Sequence, residues 1–198
     1  MMFFLVFNLI DIITQAVFRG VYHFRGLVVN GNFDMELLKP LPSYFRPIFG
    51  WTDIMDIFIS IPLSIFFIIY SSNSGIVDGG NAFIFILMMF NSILLAFSFH
   101  LMVCAMCIIT TEVDNLIMIY RDLTNMGRFS TDIYPTIIRT IVTFVVPVTI
   151  LFTIPSKAIL GLLTINNLII SFVVTIVYFI LSIKLWRYGL KRYSSASS

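Results

Sequence analysis

Charge is the scarcest resource of this 198-residue chain. Only 12 Lys and Arg and 10 Asp and Glu are present, or 11% of residues, where soluble domains carry about 25%. Histidine and cysteine occur twice each. A phosphate-cradling P-loop requires Gly followed by Lys, and none of the ten glycines is followed by lysine. The chain therefore carries no recognisable ATP site. No base precedes the first apolar stretch, and Asp11 interrupts it, which argues against a secretory signal. A cluster of polar groups suited to catalysis is missing too, so no catalytic, cofactor-binding or metal-ligating residue is assigned.

What fills the chain is apolar. Hydrophobic residues make up 59%, aromatics 16%, and the mean hydropathy is +1.01. The fold expected is an all-α polytopic membrane protein forming a single transmembrane domain over 1–198. Crossing ~30 Å of hydrocarbon takes about 20 apolar residues in a helix. Stretches of that kind lie at about 1–18, 54–70, 83–109, 137–154 and 165–183. The third runs 27 residues without a formal charge. Pro62 and Pro147 interrupt spans and are expected to kink them. The run around 155–166 is short enough to dip back into one leaflet.

Eleven of the twelve bases fall on one side of this five-span arrangement, and Lys157 alone falls on the other. The positive-inside rule makes the richer side cytoplasmic, with the C-terminus inside and Met1 outside. An outside start and a polar first span suggest that a preceding helix is missing.

The segment GNFDMELLKPLPSYFRPIFG, residues 31–50, is a polar interruption between two strongly apolar stretches, with two acids, two bases and three prolines. Asn30 or Asn32 is placed to cap a short helix, with Asp34 and Glu36 in its first turn and Lys39 in its last. Pro40 ends it. Phe33 and Leu37 stand four apart and share a face. An amphipathic helix of this kind either rests on lipid headgroups or docks a cytoplasmic partner. A second amphipathic stretch, 113–139, carries Leu116, Ile119, Tyr120 and Leu123 at helical spacing before a stop at Gly127.

Asp11 is the conspicuous charge within a span, where acids face protein, water or a substrate path. Cys104 and Cys107 form a C-x-x-C inside an apolar span, with His100 one turn earlier; core packing is the simpler reading of all three. Asp53 and Asp56 stand at a helix N-terminus, which the dipole favours.

GRFSTDIYP (127–135) followed by TFVVPVTILFTIPSKAILG (143–161) resembles the signature of membrane permeases of type-2 ATP-binding-cassette exporters, in a six-helix bacterial branch. NGNFDMELLKPLPSYF (30–45) and LWRYGLKRYSSASS (185–198) are similar to that branch as well, with the first helix absent. The resemblance implies a subunit that pairs with a second permease, as homo- or heterodimer, and with a cytoplasmic ATPase that holds ATP and Mg. It further implies that Phe33, Asp34, Glu36, Leu37 and Lys39 form the ATPase-coupling interface, and that the site of action is the bacterial plasma membrane. Membrane lipid is the other partner expected, and nucleic acid is not. The rival reading is an assembly or structural subunit with the same five spans. An enzyme lacks its polar cluster, and a channel lacks repeated small or polar helix faces.

Overall fold

The fold comes from a computed structural model, which describes residues 1–73, 75, 78–110 and 114–194, with only the backbone of 114–117. Among these residues every regular element is helical. In chain order they are α1 (Met2–Val17), α2 (Gly20–Val29), α3 (Asn32–Leu37), α4 (Phe45–Phe49), α5 (Ile54–Asn73), α6 (Gly79–Thr110), α7 (Asp114–Asn125), α8 (Thr136–Phe144), α9 (Ile154–Ile159) and α10 (Ile165–Arg192). Four stretches are long and apolar enough to cross a membrane: Met2–Val29, Ile54–Asn73, Gly79–Thr110 and Ile165–Arg192. At ~1.5 Å per residue, α6 and α10 exceed the ~30 Å of hydrocarbon and project beyond it.

The buried apolar core lies where α6 meets α1, α2 and residues 148–159, and α10 packs along α6 with most of its own surface exposed. Ser171 meets Met88, Phe179 meets Phe97, Tyr178 meets Phe99, and Gly189 abuts the Ala105 carbonyl. These pairs climb in step, so the two helices run parallel. A glycine at 189 suits that approach, because a Cβ there would sit 3.2 Å from the Ala105 oxygen. Between two parallel helices the chain must return from one end of the bundle to the other.

That return is made by the segment leading to Ile133, not by a straight span over 137–154. Tyr120 of α7 packs on His100 at 5.2 Å. A turn at Met126–Arg128 then lies against residues 148–152, with Gly127 pressed on the Phe152 ring and Val148. Asp132 lies farther along, in a pocket lined by Lys157 and by Asn167 at the start of α10.

The sequence 136–159 then enters and comes back. Proline at 147 has no N–H to extend α8, and the chain continues as a π turn (Thr149–Thr153) into α9, bent 82° from α8. The open carbonyls of Phe144 and Val145 are covered by the Tyr178 hydroxyl at 2.7 and 2.8 Å. Thr153 Oγ1 accepts from the Thr131 N–H, and Ser92 donates to the Ile150 carbonyl. Lys157 and Arg139 close on the same carboxylate, Asp132, at 2.6 and 2.8 Å. The expected span 137–154 is thus a broken hairpin, and Arg139 shares an end with Lys157 rather than opposing it. The eleven-to-one division of bases is corrected accordingly.

Candidate functional site

At the end of the bundle where α2 and α10 terminate, α3 and α4 build a platform. Gly31 caps α3 with φ 72°, a left-handed conformation that glycine adopts without strain. No side chain caps α3, so neither Asn30 nor Asn32 takes the role expected of it. Phe33 points inward and is fully buried, edge-on to Phe24 at 5.1 Å and to Tyr193 at 5.3 Å, with Trp186 at 6.2 Å. The Trp186 indole donates to Ser43 Oγ at 2.9 Å, pinning the loop between α3 and α4 to α10. Farther on, α4 packs on α2 at Gly20, where a Cβ would meet the Pro47 and Ile48 carbonyls at 2.6 and 2.8 Å.

The charges of α3 are also drawn inward or sideways. Glu36 pairs with Lys39 at 2.8 Å and Arg46 at 3.4 Å, and its side chain is only 11% exposed. Burial and the neighbouring Asp34 carboxylate push the Tyr193 hydroxyl up to about 12. What remains outward is an apolar ridge of Met35, Leu38 and Leu41, exposed by 66, 79 and 53%, beside Lys39. Phe33, expected as a contact residue, anchors the platform instead. Leu37 is at the margin of exposure. Met35 and Leu38, three apart and turned away from Phe33, are exposed beside Lys39 and carry no charge or motif that marks them in the sequence.

The second polar feature is a cleft of about 280 Å³ where α1, α5 and α7 meet. Asp11, Gln15 and Arg19 contribute from the first helix, Asp56 from α5, and Arg121, Thr124, Asn125 and Arg128 from α7 and its following turn. Arg128 lies over the Phe7 ring at 5.8 Å, and Arg19 pairs with Asp53 at 3.3 Å. Tyr22 donates to Gln15 Oε1 at 3.2 Å. Arg19, Arg121 and Arg128 line this space with Asp11 and Asp56, and Arg19 is balanced by Asp53. Charge of this density beside apolar helices is expensive unless it serves water or a ligand. Arg121 and Arg128 as neighbours of Asp11 were not legible from spacing, because over a hundred residues separate them.

His100, Cys104 and Cys107 sit elsewhere, buried in α6. The His100 Nδ1 approaches the Ala96 carbonyl at 2.8 Å, and the ring packs against Phe18 and Tyr120. Asp53 accepts from the Met55 N–H at 3.0 Å at the start of α5. Of the second amphipathic stretch, Tyr120 faces the bundle and Ile119 is exposed; the Leu116 side chain lies outside the described residues.

A bundle of helices long and apolar enough to cross a membrane, with α3 and α4 packed across one end, is the architecture of a polytopic integral-membrane protein. The family model described as ABC-2 family transporter protein matches residues 1–197, and the chain belongs to that family. It is thus an ABC transporter permease of the membrane-spanning kind. No curated protein and no solved structure matches it.

Proposed function

We propose that this chain is the membrane subunit of an exporter driven by a separate ATP-binding-cassette ATPase, which docks on the α3–α4 platform. The observation that carries this reading is the exposed ridge Met35, Leu38 and Leu41. It stands on a base that Phe33, Trp186 and Ser43 lock to α10. Apolar residues on a rigid support can pass displacement to a long helix, whereas residues on a loose loop absorb it. ATP and Mg stay on the ATPase; a second permease, as homo- or heterodimer, completes the path.

The platform end is cytoplasmic in this reading. Arg25, Lys39, Arg46, Arg187, Lys191 and Arg192 gather there, against Arg139 and Lys157 at the opposite end, which follows the positive-inside rule. The membrane is the bacterial plasma membrane. The cleft around Asp11, open between α1, α5 and α7, is the polar part of the substrate path.

Replacing the ridge tests the docking. Met35→Glu with Leu38→Glu leaves the buried anchors untouched, so the protein still inserts. The ATPase is expected to be lost from the detergent-purified complex. Retention of the ATPase with hydrolysis still coupled to transport would overturn the assignment.

A further inference from the structure

At the end of the bundle opposite the platform, the hairpin and the start of α10 enclose a cavity of about 270 Å³. Arg139 and Lys157 reach it from the two arms of the hairpin and share one carboxylate, Asp132. Two cations facing one anion leave a formal excess of one positive charge. Arg139 brings five N–H donors and Lys157 three, so a single carboxylate cannot occupy them all. Asn167, in the first turn of the 28-residue α10, adds its amide to the same wall, where the helix dipole is positive.

The threonines that line the same cavity bring a different chemistry. Thr140 donates to the Thr136 carbonyl at 2.8 Å and Thr143 to the Arg139 carbonyl at 2.6 Å. Thr149 donates to the Val142 carbonyl at 3.2 Å. The Thr143 and Thr149 Oγ1 atoms also stand 2.9 Å apart, so one hydroxyl donates to the other, and each oxygen keeps a free acceptor lone pair. The cavity therefore offers donors with positive charge and, from its threonines, neutral acceptors.

We propose that this cavity binds a phosphate ester whose other end carries hydroxyl groups, the chemistry of a phosphoglycerol headgroup. The phosphate meets Arg139 and Lys157, and the ligand's hydroxyls donate to Thr143 and Thr149. Such an ester reaches the site either as a lipid headgroup or as a free polyol phosphate. Exposed Phe144 and Ile170 line the cavity, and Ile137 and Ile141 of the same α8 are exposed too, a setting that suits an ester carrying acyl chains. The site depends on neither the ATPase nor the platform.

Native mass spectrometry of the full chain in detergent tests this, with phosphatidylglycerol, phosphatidylcholine and soluble glycerol phosphate added in turn. Phosphatidylglycerol is expected to be retained over phosphatidylcholine, and Arg139→Gln with Lys157→Gln to weaken retention about tenfold. Asp132→Asn removes the internal competitor while keeping both cations, so it is expected to tighten binding. A merely structural ion-pair triad cannot produce that opposite sign. Thr143→Val, which leaves all three charges in place, is expected to narrow the preference over phosphatidylcholine. Glycerol phosphate binding as tightly as the lipid assigns the source to solution and keeps the phosphate chemistry. Equal retention of both lipids, unchanged by the cation pair and by Asp132→Asn, overturns the proposal.

Discussion

Single residues divide here between those that hold the platform and those that present it. Phe33 is fully buried among aromatic rings, and Leu38 three-quarters exposed, although both belong to one ten-residue segment. Phe33→Ala leaves a cavity between Phe24, Tyr193 and Trp186 and is expected to cost about 3–5 kcal/mol, read as a lower melting temperature in detergent. Leu38→Ala removes only solvent-facing surface and is expected to leave that temperature unchanged. Asp132 shows the same economy of placement. Partial burial raises its pKa, but hydrogen bonds from Lys157 and Ser130 and the charge of Arg139 outweigh this, holding it below its ordinary value. A carboxylate with a lowered folded pKa stabilises above its unfolded value of about 3.9 and loses that contribution as pH falls through the folded one. Asp132→Asn is expected to flatten the acid limb of a stability-against-pH curve and leave the limb above pH 7 unchanged. An acid limb identical to that of the unaltered protein would contradict the pairing.

At the scale of elements, the helices most legible in the sequence are those dictated by the bilayer. Runs such as 83–109 need no tertiary knowledge, because nothing but a helix satisfies its backbone in hydrocarbon. The hairpin was not legible for the converse reason. Its two arms are as apolar as a span, Pro147 marks a kink and a turn alike, and the Asp132–Lys157 pair joins residues far apart in sequence. The charge rule then assigned Arg139 and Lys157 to opposite sides. The broad membrane class was readable from the polar residues' scarcity, but the ridge and the Arg121–Arg128 side of the cleft depended on which way each helix turned. Two measurements address this scale. Thr140→Cys and Asn166→Cys are expected to react with a membrane-impermeant thiol reagent from the same side, opposite to Leu38→Cys; reaction of Thr140→Cys from the Leu38 side restores a straight span. Gly20→Val, which forces a side chain into the Pro47 and Ile48 carbonyls, is expected to displace α4 and reduce coupling while α6 and α10 stay packed. Full coupling in that variant would mean that α4 does not need its seat on α2.

Across the whole molecule, the two ends differ in kind. One end carries an apolar ridge on an aromatic anchor, and the other a charged cavity within a bent hairpin. The parallel pair α6 and α10 connects them, with Trp186 engaged at the platform and Asn167 at the cavity. Under the proposed docking, a displacement imposed on the ridge would act first on α10, through Phe33 and Ser43 on Trp186, and on α6 packed along it. The most direct measurement replaces Leu38 by a photo-crosslinking amino acid in the complex assembled with its ATPase, with Leu162 at the opposite end as the reference position. The account predicts an ATPase adduct at Leu38 and none at Leu162. Lipid adducts alone at Leu38, in a complex that still hydrolyses ATP and transports, would contradict it.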